Sequence, residues 1–134
     1  YVIVCEHYQW FFGGDGRTSQ YESWCKVFDE LGVDLALAGN NHIYVRTDAV
    51  YGGELSNPAV RGTVYVQTPS ADDERGHKMK PELKHNKELI KSRWTEGAKT
   101  VGAMLMKVNR QKIALTLLDR HGKVIDTVDV PAKR

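Results

Sequence analysis

An α/β fold is expected: a partly parallel sheet with a covering helix, closed by an antiparallel β meander. Three features point to it. Two apolar runs of strand length, 1–6 and 33–38, flank a segment with helical spacing. Strand, helix and strand in that order, with apolar strands, form a βαβ unit, and such units build parallel sheets covered by helices. From about residue 99 to 130 the chain alternates, with links at Asn109-Arg110-Gln111 and Arg120-His121-Gly122 that are short enough only for antiparallel neighbours.

The first strand, 1–6, reads as a buried one. A loop from His7 to Arg17 follows, carrying Trp10, Phe11 and Phe12 and the turn cluster Gly13-Gly14-Asp15-Gly16. A helix is expected over 19–31, opened by the capping-box pair Ser19 and Glu22 and closed by Gly32. Tyr21, Trp24, Cys25, Phe28 and Leu31 share its apolar face. After the strand at 33–38 come Asn40-Asn41-His42 and an alternating stretch from Ile43 to Tyr51. A third core strand spans 62–67. Residues 71–97 form a basic insertion, in which Pro81 opens a short helix through Lys91 anchored by Leu83 and Ile90. The closing strands are Thr100–Val108, Lys112–Leu118 and Val124–Val130.

The 134 residues read as one domain. Apolar residues make up 41% and charged residues 27%, too rich in apolar side chains for disorder. A net charge of +2 gives no footprint for nucleic acid, and no apolar run is long enough to span a membrane. Cys5 and Cys25 exclude a disulfide scaffold; two buried thiols or a single bridge fit them. A chain that opens at Tyr1 inside a strand is expected to be part of a longer domain.

Ligands of parallel sheets sit beyond the carboxyl ends of the strands. His7 follows the first strand, and Asn40, Asn41 and His42 follow the second. Imidazole nitrogens and an amide oxygen are competent metal ligands, although histidines on loops and Gly-Asn-Asn turns are also ordinary surface features.

Val4-Cys5-Glu6-His7 fits a Val-x-x-His motif, and residues 33–47 read Val-Asp-Leu-Ala-Leu-Ala-Gly-Asn-Asn-His-Ile-Tyr-Val-Arg-Thr. This stretch resembles the late segment of calcineurin-like metallophosphoesterases of the purple-acid-phosphatase-like branch, where Val-Asp-Leu-x-Leu-x-Gly-His-x-His-x-Tyr-x-Arg-Ser/Thr is the pattern. The resemblance covers 1–70 well, 98–134 loosely and 71–97 not at all. It implies the C-terminal part of a four-layer metallophosphoesterase fold. The implied activity is hydrolysis of a phosphate ester at a dinuclear centre of iron, zinc or manganese. It further implies that His7 and the residue at Asn40 share one metal and that His42 binds the other. Asn40 stands where that pattern has histidine. The early motifs of the family, an Asp-x-His pair, a bridging Asp and an Asn-His pair, have no counterpart here, so the N-terminal half of the domain is missing and the chain alone is expected to be inert. That branch is commonly extracytoplasmic.

Trp10, Tyr44 and Arg46 are the candidate substrate contacts. Trp10 and its aromatic neighbours suit either a leaving group or the core. Arg46 suits either phosphate or a surface ion pair with Asp48 or Glu54. Gly13-Gly14-Asp15-Gly16 lacks the lysine of a phosphate loop. The alternative to a phosphoesterase is a non-catalytic binding or scaffold module with a decayed metal site.

Overall fold

The computed structural model describes residues 1–80 and 82–133. In chain order they form β1 (Ile3–Cys5), β2 (Phe11–Phe12), β3 (Gly16–Arg17), α1 (Ser19–Leu31), β4 (Leu35–Ala38), β5 (Tyr44–Tyr51), β6 (Glu54–Leu55), β7 (Thr63–Gln67), β8 (Ile90–Trp94), β9 (Gly102–Val108), β10 (Lys112–Asp119) and β11 (Val124–Pro131). The main sheet runs β1-β4-β7-β5, with β6 and β8 sharing the far edge of β5. β1, β4 and β7 are parallel, and β5 returns antiparallel to β7. The last three strands make a separate antiparallel sheet ordered β11-β10-β9. The expected α/β architecture, with its parallel strands, covering helix and closing meander, is therefore present.

Three layers follow from the period of two along each strand. On β4, Ala36 and Ala38 face the helix side while Leu35 and Leu37 face the meander; on β7, Tyr65 faces the helix side between Val64 and Val66. Trp10, Tyr21, Phe28 and Tyr65 fill the helix-side core. Trp10 meets Phe28 and Tyr65 edge-on at 5.7 and 5.5 Å between ring centres. Ile113, Leu115 and Leu117 of β10 alternate inward to close the other core. Each such large side chain, fully buried, contributes about 1.5–3 kcal/mol. Both faces of the sheet are covered, which is why its central strands β4 and β7 are buried along most of their length.

The helix has the expected span, but its cap lies one residue earlier. Thr18 is extended and its Oγ1 accepts from the Tyr21 backbone N–H at 3.2 Å, while the same hydroxyl donates to the Gln9 carbonyl at 2.8 Å. Gly32 closes the helix at φ 64°, a left-handed conformation that costs glycine least. Only Tyr21 and Phe28 are fully buried; Trp24 and Leu31 stay 47% and 66% exposed.

Two expectations are corrected at β1. The strand is not buried: it is the open edge of the sheet, and Tyr1 and Val2 are 45% and 44% exposed. Cys5 is exposed and Cys25 half-buried, and both are free thiols. Between this edge and α1 runs an apolar groove of about 420 Å³, walled by Val2, Val4, Trp24, Val27 and Leu31.

A third correction concerns the basic segment. Residues 82–91 contain no helix, and Pro81 lies outside the described residues. Ile90–Trp94 instead pairs antiparallel with β5. Leu89 and Ile90 enter the helix-side core, with Leu83 and Met79 packed against it. Asp15 fixes the segment: its buried Oδ2 accepts from the Lys84 N–H at 2.9 Å and the His85 N–H at 3.4 Å. The Gly13-Gly14-Asp15-Gly16 cluster is thus the turn of the small β2–β3 hairpin, with Asp15 N–H donating to the Phe12 carbonyl at 3.0 Å.

Candidate metal centre

Parallel pairing of β1 with β4 sets their carboxyl ends side by side. Beyond those ends the Gly39 N–H donates to the His7 carbonyl at 3.1 Å, so the loop carrying Asn40, Asn41 and His42 leaves the sheet next to His7. The His7 ring is exposed and lies edge-on to Tyr8 at 5.3 Å. Asn40 sits at φ 60° and His42 at φ 51°, the left-handed region, which Asn and His visit more often than most residues. The Asn40 Nδ2 donates to Gln9 Oε1 at 2.7 Å, which commits the amide's nitrogen and turns it toward the hairpin loop. His42 Nδ1 donates to the Arg75 carbonyl at 2.6 Å, and its ring lies 5.2 Å from that of His77. Glu6 Oε1 and Asn41 Nδ2, flanking His7 and His42 in the chain, are buried without hydrogen-bond partners.

The three residues sought for substrate are elsewhere. Trp10 is fully buried, with its indole N–H donating to the Ala36 carbonyl at 3.0 Å, so of its two roles it takes the core. Tyr44 is buried on the meander side, and its hydroxyl donates to Asp126 Oδ2 at 2.8 Å. Arg46 is neither on the surface nor open to phosphate. Its Nε donates to Asp126 Oδ2 at 2.7 Å, with Asp48 Oδ1 at 3.4 Å from Nη1. Burial by itself would raise the Asp126 carboxyl, but Arg46 and Tyr44 outweigh it and hold it below the usual carboxylate range. Burial and the Asp126 carboxylate push the Tyr44 hydroxyl well up, so that phenol stays neutral.

The remaining buried carboxylates are structural too. Asp34 accepts from the Val2 N–H at 2.7 Å and pairs with Lys133 at 3.1 Å. Asp15 holds the 84–85 backbone.

No protein-family model matches the chain, and no curated protein matches it. A solved structure of a purple acid phosphatase, isolated from yellow lupin (Lupinus luteus) seeds, does match in three dimensions. It aligns with a TM-score of 0.77 over 99% of this chain and 25% of its own, at 16% sequence identity. The chain has the fold of that part of the purple acid phosphatase. It spans about a quarter of that phosphatase's length, 25%.

A dinuclear metallophosphoesterase centre needs carboxylates to bridge two cations and offset their charge. Among the described residues no three His, Cys, Asp or Glu side chains gather as a metal site. The rim offers His7, His42 and the Asn40 amide, with Glu6 beside His7 in the chain. That donor set does not fit a bridged pair of metals by itself. The strand ends that carry His7 and Asn40–His42 are legible in the sequence. His77, two residues after the Arg75 whose carbonyl orients His42, belongs to no motif and carries no such signal.

Proposed function

We propose that this chain is part of a metal-dependent phosphoesterase, contributing His7 and His42 to a centre that is completed by carboxylates outside these 134 residues. The observation that carries it is the Gly39–His7 backbone bond of 3.1 Å, which brings the His7 loop and the Asn40–His42 loop to neighbouring strand ends of a fold shared with part of a purple acid phosphatase. The open edge of β1 and the apolar groove beside α1 support a further part of the same domain packing there. Divalent or trivalent iron, zinc or manganese suits imidazole ligands, and a phosphate ester is the substrate class. Asn40, tied to Gln9, favours the second reading, a scaffold whose metal site has decayed.

The test is Asn40→His, with metal binding followed by titration calorimetry. A third imidazole at the rim should add a zinc or manganese site that is lost again in the His7→Gln/Asn40→His double variant. No added site in Asn40→His would reject His7 as a ligand and leave the scaffold reading.

A further inference from the structure

We propose that His42 and His77 together form a two-imidazole site for a borderline divalent cation such as Zn²⁺, Ni²⁺ or Cu²⁺. The site goes beyond the rim reading and competes with it for the one free ring nitrogen of His42.

The first support is a fixed tautomer. A carbonyl only accepts, so the 2.6 Å bond to Arg75 puts the proton on His42 Nδ1. In the neutral ring the lone pair is then on Nε2, the arrangement in which metal-binding histidines are held by a carbonyl behind them. The second support is separation. The two ring centres are 5.2 Å apart. Two imidazoles on one tetrahedral zinc, with Zn–N of about 2.0–2.1 Å, place their ring centres about 5 Å apart.

The third support is bracing. The segment bearing Arg75 and His77 is clamped to the turn at 95–100. The Gly76 N–H donates to the Ala98 carbonyl at 3.3 Å, and the Thr95 hydroxyl donates to the His77 carbonyl. Gly76 has no room for a side chain: a methyl group there would fall on the Gly97 carbonyl oxygen and the Thr100 side chain. One backbone segment therefore both orients His42 and carries its partner ring, a preorganisation that a chance pair of surface histidines lacks. The His77 ring is exposed and, among the described residues, makes no hydrogen bond or ion pair.

No third His, Cys, Asp or Glu joins among the described residues, so water fills the remaining positions. Two neutral nitrogen donors select imidazole-seeking cations over Mg²⁺ and Ca²⁺, which take oxygen.

The experiment titrates the metal-free 134-residue chain with Zn²⁺ by calorimetry and follows histidine ring signals by NMR with paramagnetic Ni²⁺. One Zn²⁺ should bind per chain, undisturbed by millimolar Mg²⁺, and Ni²⁺ should broaden the His42 and His77 signals before those of His7, His85 and His121. His77→Gln and His42→Gln should each weaken Zn²⁺ by at least the roughly 10–100-fold that loss of a mere supporting partner costs. His121→Gln, on the turn between β10 and β11, should leave it unchanged. Binding that depends on His7 and not on His77 would overturn the proposal in favour of the rim, and so would binding that neither variant alters. The NMR order on the unmodified chain keeps the outcome decisive if a variant folds poorly.

Discussion

Arg46 of β5 and Asp126 of β11 form a buried ion pair of 2.7 Å that bolts the meander to the main sheet. Tyr44, two residues before Arg46 on β5, donates to the same carboxylate, so one Asp126 satisfies two donors that would otherwise be buried alone. Removing one partner strands the other: Asp126→Ala or Arg46→Ala should cost about 3–5 kcal/mol in urea unfolding. Replacing both with apolar residues of similar volume should cost much less than the sum.

The same pair predicts an acid limb. Asp126 has a folded pKa below its unfolded value, so its contribution is complete above the unfolded carboxyl pKa of about 3.9 and is lost as pH falls through the lower folded value. Unfolding midpoints of the unmodified chain and Asp126→Asn should therefore differ most at neutral pH and converge as the pH falls through the lowered folded value. A constant gap across that range would deny the pairing.

Asp15→Ala should loosen the basic segment. It leaves the Lys84 and His85 N–H groups without their acceptor, at a cost of about 1–3 kcal/mol. Limited trypsin digestion should then cut after Lys84 or Lys87 faster than in the unmodified chain, with the sites read by mass spectrometry.

Trp10→Ala should behave as a core deletion, destabilising by about 3–5 kcal/mol. Thr18→Ala should cost about 0.5–2 kcal/mol through the lost cap, with helical circular dichroism reduced at intermediate urea. A Trp10 variant that kept full stability would return that side chain to the list of substrate contacts.

Much of this was legible locally. Tyr21 and Phe28 at helical spacing, and Leu35 to Ala38 as an unbroken apolar run, specify α1 and β4 without help from elsewhere. The alternation of Ile113, Leu115 and Leu117 does the same for β10. What escaped was non-local. Ile90–Trp94 becomes a strand because β5, more than 40 residues earlier, offers it an edge; its own lysines and Pro81 suggested a helix. The Arg46 carboxylate partner lies 80 positions away, invisible to spacing, and the nearer Asp48 was only its minor contact. At the rim, strand ends located His7 and His42, but the Asn40–Gln9 bond and the His42–His77 pair depend on how loops fold back.

The most direct test of the central claim is hydrolysis of a chromogenic phosphate ester by the purified chain with added manganese, zinc or iron. Two imidazoles and an amide, with no cluster of three His, Cys, Asp or Glu among the described residues, predict no turnover above the metal-only blank, in the unmodified chain and in Asn40→His alike. Robust metal-dependent turnover by the unmodified chain would contradict the account, because a carboxylate within these residues would then have completed the centre.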